Sequence, residues 1–150
     1  MMDKKKIKSR ALEFAKKAHL NQKDDNGESY FEAHVLQVYN FIYRATEDVE
    51  IQCAAILHDT IEDTGVTYDE LKKEFGERIA NLVMELTHEG KKDEVGYYFP
   101  RLMSKDAVLI KFADRLSNLS RMDSWDKGRQ DHYVKRSRFW KRFPGDRWRT

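Results

Sequence analysis

The sequence predicts an all-α fold on three observations. Apolar residues recur at spacings of three and four along most of the chain, strand-like alternation is scarce, and capping residues stand just before several apolar runs. At 150 residues the chain is long enough to bury one real core, and no repeat or low-complexity linker divides it. A single domain over residues 1–150 is therefore expected.

The elements follow in order. In IKSRALEFAKKAH, Ile7, Ala11, Phe14, Ala15 and Ala18 share one helical stripe. Residues 21–30, NQKDDNGESY, carry no stripe and cluster Asn, Asp, Gly and Ser, which marks a loop. Helices are expected over 32–45 and 48–58. Thr67 to Glu70 has capping-box spacing and opens a short helix that stops near Gly76. The next helix spans about 77–87, with Ile79, Leu82, Val83 and Leu86 inward. Residues 88–100, HEGKKDEVGYYFP, form a loop closed by Pro100. Ser104 caps a helix reaching residue 121, in which Leu109, Phe112, Leu116 and Leu119 face the core, and a last helix runs from about 129 to 142.

Composition narrows the function classes. Hydrophobic residues make up 40% and charged residues 36%, ordinary for a globular protein though on the charged side. No run approaches the roughly 18 apolar residues of a membrane span, and no secretory leader is visible. The single cysteine, Cys53, sits in the apolar IQCAAIL, rules out an internal disulfide and reads as a buried thiol, so a cytoplasmic, reducing setting is expected. The net charge of +2 is unevenly spread. Residues 1–10 carry five Lys/Arg against one Asp and residues 135–150 carry seven against one, which leaves −8 on the rest. Basic ends aid solubility or capture a polyanion. The acidic body, with no recognised nucleic-acid motif, argues against a nucleic-acid partner.

The chemistry gathers in three places. Residues 56–64, ILHDTIEDT, end an apolar helix on His58 and Asp59, with Glu62 and Asp63 one turn further on. Adjacent helical residues point about 100° apart, so a His-Asp pair serves one centre most easily where a helix ends. Imidazole and carboxylate together suit Mn²⁺, Fe²⁺, Zn²⁺ or Co²⁺. Taken alone, the dipeptide is equally a helix end with a hydrogen-bonded histidine. His34, in FEAHVLQV, is by itself as readily a structural histidine as a ligand. In VLIKFADRLSNLSRM, Lys111, Asp114 and Asn118 share a face distinct from the apolar stripe, either as a site wall or as a salt-bridged surface.

The order His34, His58-Asp59, Asp114 resembles the H…HD…D signature of HD-domain metal-dependent phosphohydrolases. The flanks AAILHDTIEDT, FGERIANLVMELT and LIKFADRLSNL are similar to the hydrolase domain of the Rel/Spo family and to small alarmone hydrolases, over roughly residues 8–123. The resemblance implies an HD-domain bundle of about six to eight helices around one Mn²⁺, held by His34, His58, Asp59 and Asp114. Fe²⁺, Co²⁺ and Zn²⁺ remain alternatives. It implies that Glu62 and Asp63 position and activate the attacking water, and that Asn118 contacts the nucleotide sugar. Lys111, Lys23 and Arg121 complete the expected substrate contacts. The implied activity is removal of a 3′-pyrophosphate from ppGpp, the alarmone of the stringent response.

The departures from the family pattern bear on substrate. Val35 follows His34 where proline is usual. The Gly27-Glu28-Ser29-Tyr30 segment stands one residue further from the histidine than the pattern has it. Ser117 replaces a common His, and Arg121 stands where Thr is usual. The loop after Gln22 reads KDDNGES in place of an Arg-rich segment, with Lys23 its only cation and Asp24 and Asp25 expected to repel a polyphosphate. Lys91, Lys92, Tyr97, Tyr98 and Phe99 offer charge and flat faces for a base, or simply pack down on the core. Phe139, Trp140 and Phe143 read as a closing helix. Trp125, Trp148, His19, His88 and His132 have no role beyond packing or surface. A broader HD-family phosphatase, acting on a nucleoside monophosphate, a deoxynucleotide or NADPH, stays open beside the alarmone hydrolase, as does a catalytically weak nucleotide sensor.

Overall fold

The computed structural model describes residues 3–91 and 100–138. Asp3 accepts a hydrogen bond from the Lys5 amide and so caps the first helix, α1 (Lys4–Ala18). Its fully buried face is Ala11 and Ala15, small residues that bring the helix backbone close to its neighbour. The loop after α1 turns at Asn21, in the left-handed region at φ 72°, and closes on an isolated bridge between Lys23 and Ser29. The chain then re-enters a helix through a single π-helical turn, Phe31–Val35, that runs into α2 (Leu36–Ala45). Such turns carry an extra residue per turn and re-aim the side chains on them.

The centre of the molecule is α3 (Val49–Leu57). Asp48 caps it by accepting from the amides of Glu50 and Ile51, and every residue from Ile51 to Leu57 is buried. A helix apolar on all sides needs neighbours all round, and α1, α2, α6 and α7 supply them. One turn, α4 (Thr60–Asp63), follows directly. Thr67 caps α5 (Tyr68–Phe75), and Gly76, at φ 95°, breaks the path before α6 (Glu77–Glu85). Ile79, Leu82, Val83 and Leu86 are buried as expected. Ser104 caps α7 (Lys105–Leu119), and the Glu85 carboxylate accepts from the Ser104 amide at 2.7 Å, tying the two helices together. Asp126 caps α8 (Lys127–Ser137), which packs on α7. The described residues contain no strand.

The all-α expectation holds, with three adjustments. The turn α4 was not anticipated, and the last helix starts two residues before the expected 129, because Asp126 rather than a later residue caps it. Its expected extension to 142, with Phe139, Trp140 and Phe143, lies outside the described residues, as do Lys92, Tyr97, Tyr98, Phe99 and Trp148. The apolar stripe expected on α7 is rotated. Ala107, Ile110 and Ala113 face the core together with Asp114 and Ser117, whereas Leu109 and Phe112 pack at its edge and Leu116 is 52% exposed. Asp114 turned inward forces this, since two residues along a helix is about 200° of rotation.

Candidate functional site

Four side chains from separated segments meet where α3 ends. His34 comes from the π turn, His58 and Asp59 from the α3–α4 junction, and Asp114 from the middle of α7. One nitrogen or oxygen from each lies within 4.8 Å of the others, a spread a single metal ion can bridge. His58 keeps helical angles as the residue that follows α3, but Asp59 has relaxed to φ −102°, ψ 1°. That change lets two consecutive residues serve one centre: His58 Nε2 stands 3.0 Å from Asp59 Oδ2. From the other side His34 Nε2 stands 3.0 Å from Asp114 Oδ1.

The proton on the His58 ring follows from hydrogen-bond accounting. His58 Nδ1 lies 2.6 Å from the Ala55 carbonyl, which only accepts, so Nδ1 carries the proton. His34 Nδ1 has two neighbours that ask for opposite tautomers: Ser117 Oγ at 3.0 Å, whose own hydrogen goes to Gln37 Oε1 at 2.8 Å, can accept from it, and Arg121 Nη2 at 3.1 Å can only donate to it. Both Nε2 atoms face the cluster, each buried without a hydrogen-bond partner, and that of His58 presents a bare lone pair. Two orphaned imidazole nitrogens facing two carboxylates is a donor set that fits a divalent transition metal.

The electrostatics agree. Burial opposes a charge on either ring, yet the adjacent carboxylates of Asp59 and Asp114 outweigh it and raise both histidines. Burial likewise works against Asp59 and Asp114, but His58 and His34 hold Asp59 well below the usual carboxylate range, and Lys111 with the two histidines does the same for Asp114. Lys111 Nζ sits 3.2 Å from Asp114 Oδ2. Tyr30 donates its hydroxyl to Asp59 Oδ2 at 2.6 Å, and burial beside that carboxylate pushes the phenol up.

Glu62 and Asp63 stand on α4 at the rim of the cluster. Burial and the Asp59 charge raise Glu62 to about 7, and the same two causes raise Asp63. His88 Nε2 approaches Glu62 Oε1 at 2.7 Å. Gln22 donates to Asp63 Oδ2 at 3.3 Å, while its own carbonyl lies 2.7 Å from His19 Nδ1, a contact that sets the amide's orientation.

Beside the cluster opens a cavity of about 220 Å³, lined by the loop after α1, by Asn118 and Arg121 at the end of α7, and by Trp125. Asn118 Nδ2 donates to the Tyr133 hydroxyl at 2.7 Å and its Oδ1 accepts from Arg121 Nη2 at 3.1 Å. Lys23 lines the same cavity. The structure thus gathers His34, His58, Asp59 and Asp114 in one cluster, sets Glu62, Asp63 and Lys111 at its edge, and sets Asn118, Lys23 and Arg121 in the cavity. Asp24 and Asp25 are not free to repel an anion: each is paired with an arginine, Arg121 at 2.6 Å and Arg129 at 2.8 Å. Sequence reasoning missed Tyr30, Ser117, Gln37, Gln22, His19, His88, Trp125 and Tyr133, whose partners lie far along the chain or, for Gln22 with His19, in an irregular turn. Of these, His19, Gln22, Tyr30 and Ser117 stood within stretches that had already drawn notice.

Comparison with known proteins bears on this arrangement. Residues 11–95 match the family model described as HD domain. The chain is 42% identical over 118 residues to the guanosine-3′,5′-bis(diphosphate) 3′-pyrophosphohydrolase of Aquifex aeolicus, covering 73% of this chain and 17% of that protein. It therefore spans about a sixth of that bacterial relative's length. It is 32% identical over 136 residues to the guanosine-3′,5′-bis(diphosphate) 3′-pyrophosphohydrolase MESH1 of Danio rerio, covering 81% of this chain and 75% of that protein. A solved structure described as a metazoan ortholog of SpoT, which hydrolyzes ppGpp and plays a role in starvation responses, matches with TM-score 0.75 and 28% identity over 88% of this chain and 82% of that one.

Proposed function

We propose that this chain, which belongs to the HD-domain family, is a metal-dependent phosphohydrolase acting on a nucleotide, with the 3′-pyrophosphate of a ppGpp-type alarmone as its leading substrate. The observation that carries this is the pair of buried, unpartnered Nε2 atoms on His34 and His58, facing Asp59 and Asp114. The similarity to relatives named as 3′-pyrophosphohydrolases supports the alarmone as substrate. Residues 1–150 are read as one hydrolase domain. No helix among the described residues is long and apolar enough to cross a membrane.

In this reading His34, His58, Asp59 and Asp114 hold one divalent ion, Mn²⁺ first and Fe²⁺, Co²⁺ or Zn²⁺ as alternatives. Such an ion supplies Lewis acidity and makes a water easier to deprotonate. The chain does the rest. Glu62, raised to about 7, exchanges a proton near neutral pH, where a general base works well. Gln22 holds Asp63 in place beside it. Lys111 offsets the charge of Asp114 and meets the reacting phosphate. Asn118, fixed by Tyr133, presents its amide edge to the sugar, and Lys23 and Arg121 bound the same cavity.

A second reading, a broader HD-family nucleotide phosphatase, is favoured by the ion-paired loop of Asp24 and Asp25. Product analysis separates the two. The Mn²⁺-loaded protein, with an EDTA control, is incubated with guanosine and adenosine alarmones, deoxynucleoside mono- and triphosphates, and NADPH. Pyrophosphate from the alarmones alone is the expected result. Orthophosphate from another nucleotide selects the broader class, and no product with metal bound sinks both in favour of a sensor.

A further inference from the structure

The cavity beside the metal cluster is lined by two carboxylates, one lysine and one arginine, so its formal charge is zero. Asp24 is the most constrained of the four. Its side chain is 5% exposed; Oδ1 accepts from the amides of Asn26 at 3.0 Å and Glu28 at 2.8 Å, and Oδ2 accepts from Arg121 Nη1 at 2.6 Å. The other terminal nitrogen of Arg121 is engaged by Asn118 Oδ1 at 3.1 Å and lies 3.1 Å from His34 Nδ1. An incoming phosphate could take this guanidinium only by displacing a buried carboxylate that two backbone amides hold in place. Opening a buried charge pair costs far more than a solvated phosphate gains from a cation already neutralised.

The neighbouring pair differs. Asp25 and Arg129 are 54% and 53% exposed, a setting in which an ion pair contributes little and salt screens it. Lys23 is exposed and makes no ion pair among the described residues. The remaining lining near Asn118 is amide and aromatic: Gln22, Asn26 and Trp125.

We propose that Asp24 is a specificity-determining residue: by occupying Arg121 it makes this cavity bind an uncharged nucleoside edge and gain almost nothing from phosphates beyond the one that reacts. The inference rests on the reading of the cavity as the nucleotide pocket of a hydrolase and names the substrate class of that pocket. Substrates are then selected by sugar and base, and a long polyphosphate on the far side of the nucleoside adds little affinity.

The test is equilibrium dialysis of the Mn²⁺-loaded full chain against guanosine 5′-mono-, di- and triphosphate, for the wild type, Asp24→Asn and Arg121→Gln. Asparagine keeps the acceptor for the two loop amides and replaces the charged oxygen that Arg121 meets with an amide nitrogen that cannot accept. Asp24→Asn should bind the triphosphate about tenfold more tightly while the monophosphate changes about twofold or less. Arg121→Gln should change mono- and triphosphate affinity by the same factor, and this second variant decides the matter if the first fails to fold. A selective loss of triphosphate binding in Arg121→Gln would make Arg121 a phosphate ligand and overturn the proposal, as would an Asp24→Asn protein indistinguishable from wild type. In both cases Mn²⁺-dependent turnover of the nucleotide panel by the wild-type protein would persist, leaving the hydrolase reading intact. No nucleotide binding by any of the three proteins would remove the pocket assignment itself.

Discussion

The two ends of the stretch from Asp114 to Arg121 hold the same kinds of group in opposite states. Around Asp114, two imidazoles and two carboxylates converge with both Nε2 atoms buried and unpartnered. Around Arg121, two turns on, each carboxylate has its guanidinium and each terminal nitrogen its acceptor, although Arg121 Nε is buried without one. Buried polar atoms in folded proteins are nearly always satisfied. A cluster that is not satisfied is built for something it has yet to bind, while a satisfied one has already chosen its partner within the chain. The metal end is therefore where a ligand adds most, and the cavity end is where a ligand must compete.

The sharpest way to break the comparison is Asp59→Ala. It removes one of the four proposed ligands and the anchor of Tyr30, so bound metal and activity should both vanish; undiminished metal content by elemental analysis would place the site elsewhere. Next in size, Asp63→Asn should keep its metal and lose about 10²- to 10⁴-fold in turnover, the usual worth of a general acid–base group. A rate close to wild type would leave the base role to Glu62 alone.

Ser117→Ala probes the support of a ligand rather than the ligand. It deletes the hydroxyl 3.0 Å from His34 Nδ1, and metal affinity should fall about 10- to 100-fold with the fold intact. Unchanged affinity in a metal titration would mean that the ring needs no such partner. The smallest effect is the pH dependence of metal binding. Both histidines are raised in the metal-free protein, and only the neutral rings bind metal, so affinity should weaken as pH falls through their raised values. Without metal the sign reverses for stability. The folded rings hold protons more tightly than the unfolded chain, so this contribution is full below about 6.5 and fades as pH rises through the folded values. Melting curves in EDTA across that range check it.

Much of the fold was legible because it depends on local rules. Capping by Thr67 and Ser104, the stop at Gly76 and the stripe of α6 follow from hydrogen-bond needs within one turn of chain. The rotated face of α7 was not legible. Leucines at helical spacing look like a core stripe until the centre of the molecule demands a carboxylate, and then Leu116 must turn outward. The site divides in the same way. His34, His58, Asp59 and Asp114 could be named from motif order, but their supporting residues could not. Ser117 supports His34 across 83 residues and Tyr30 reaches Asp59 across 29, separations that no local pattern encodes.

The loop of Asp24 and Asp25 makes the division plainest. Its charge was visible in the sequence and read as repulsion toward a polyphosphate. In the folded chain Arg121 and Arg129, 97 and 104 residues away, are their partners. Sequence alone determined which ionisable groups the protein owns, where its helices begin and end, and which family pattern those groups follow, because these depend on residue type and short-range spacing. The tertiary structure alone decided which charges remain unpaired. Coulombic and hydrogen-bond partnership depends on distances of a few ångströms between segments that only folding brings together.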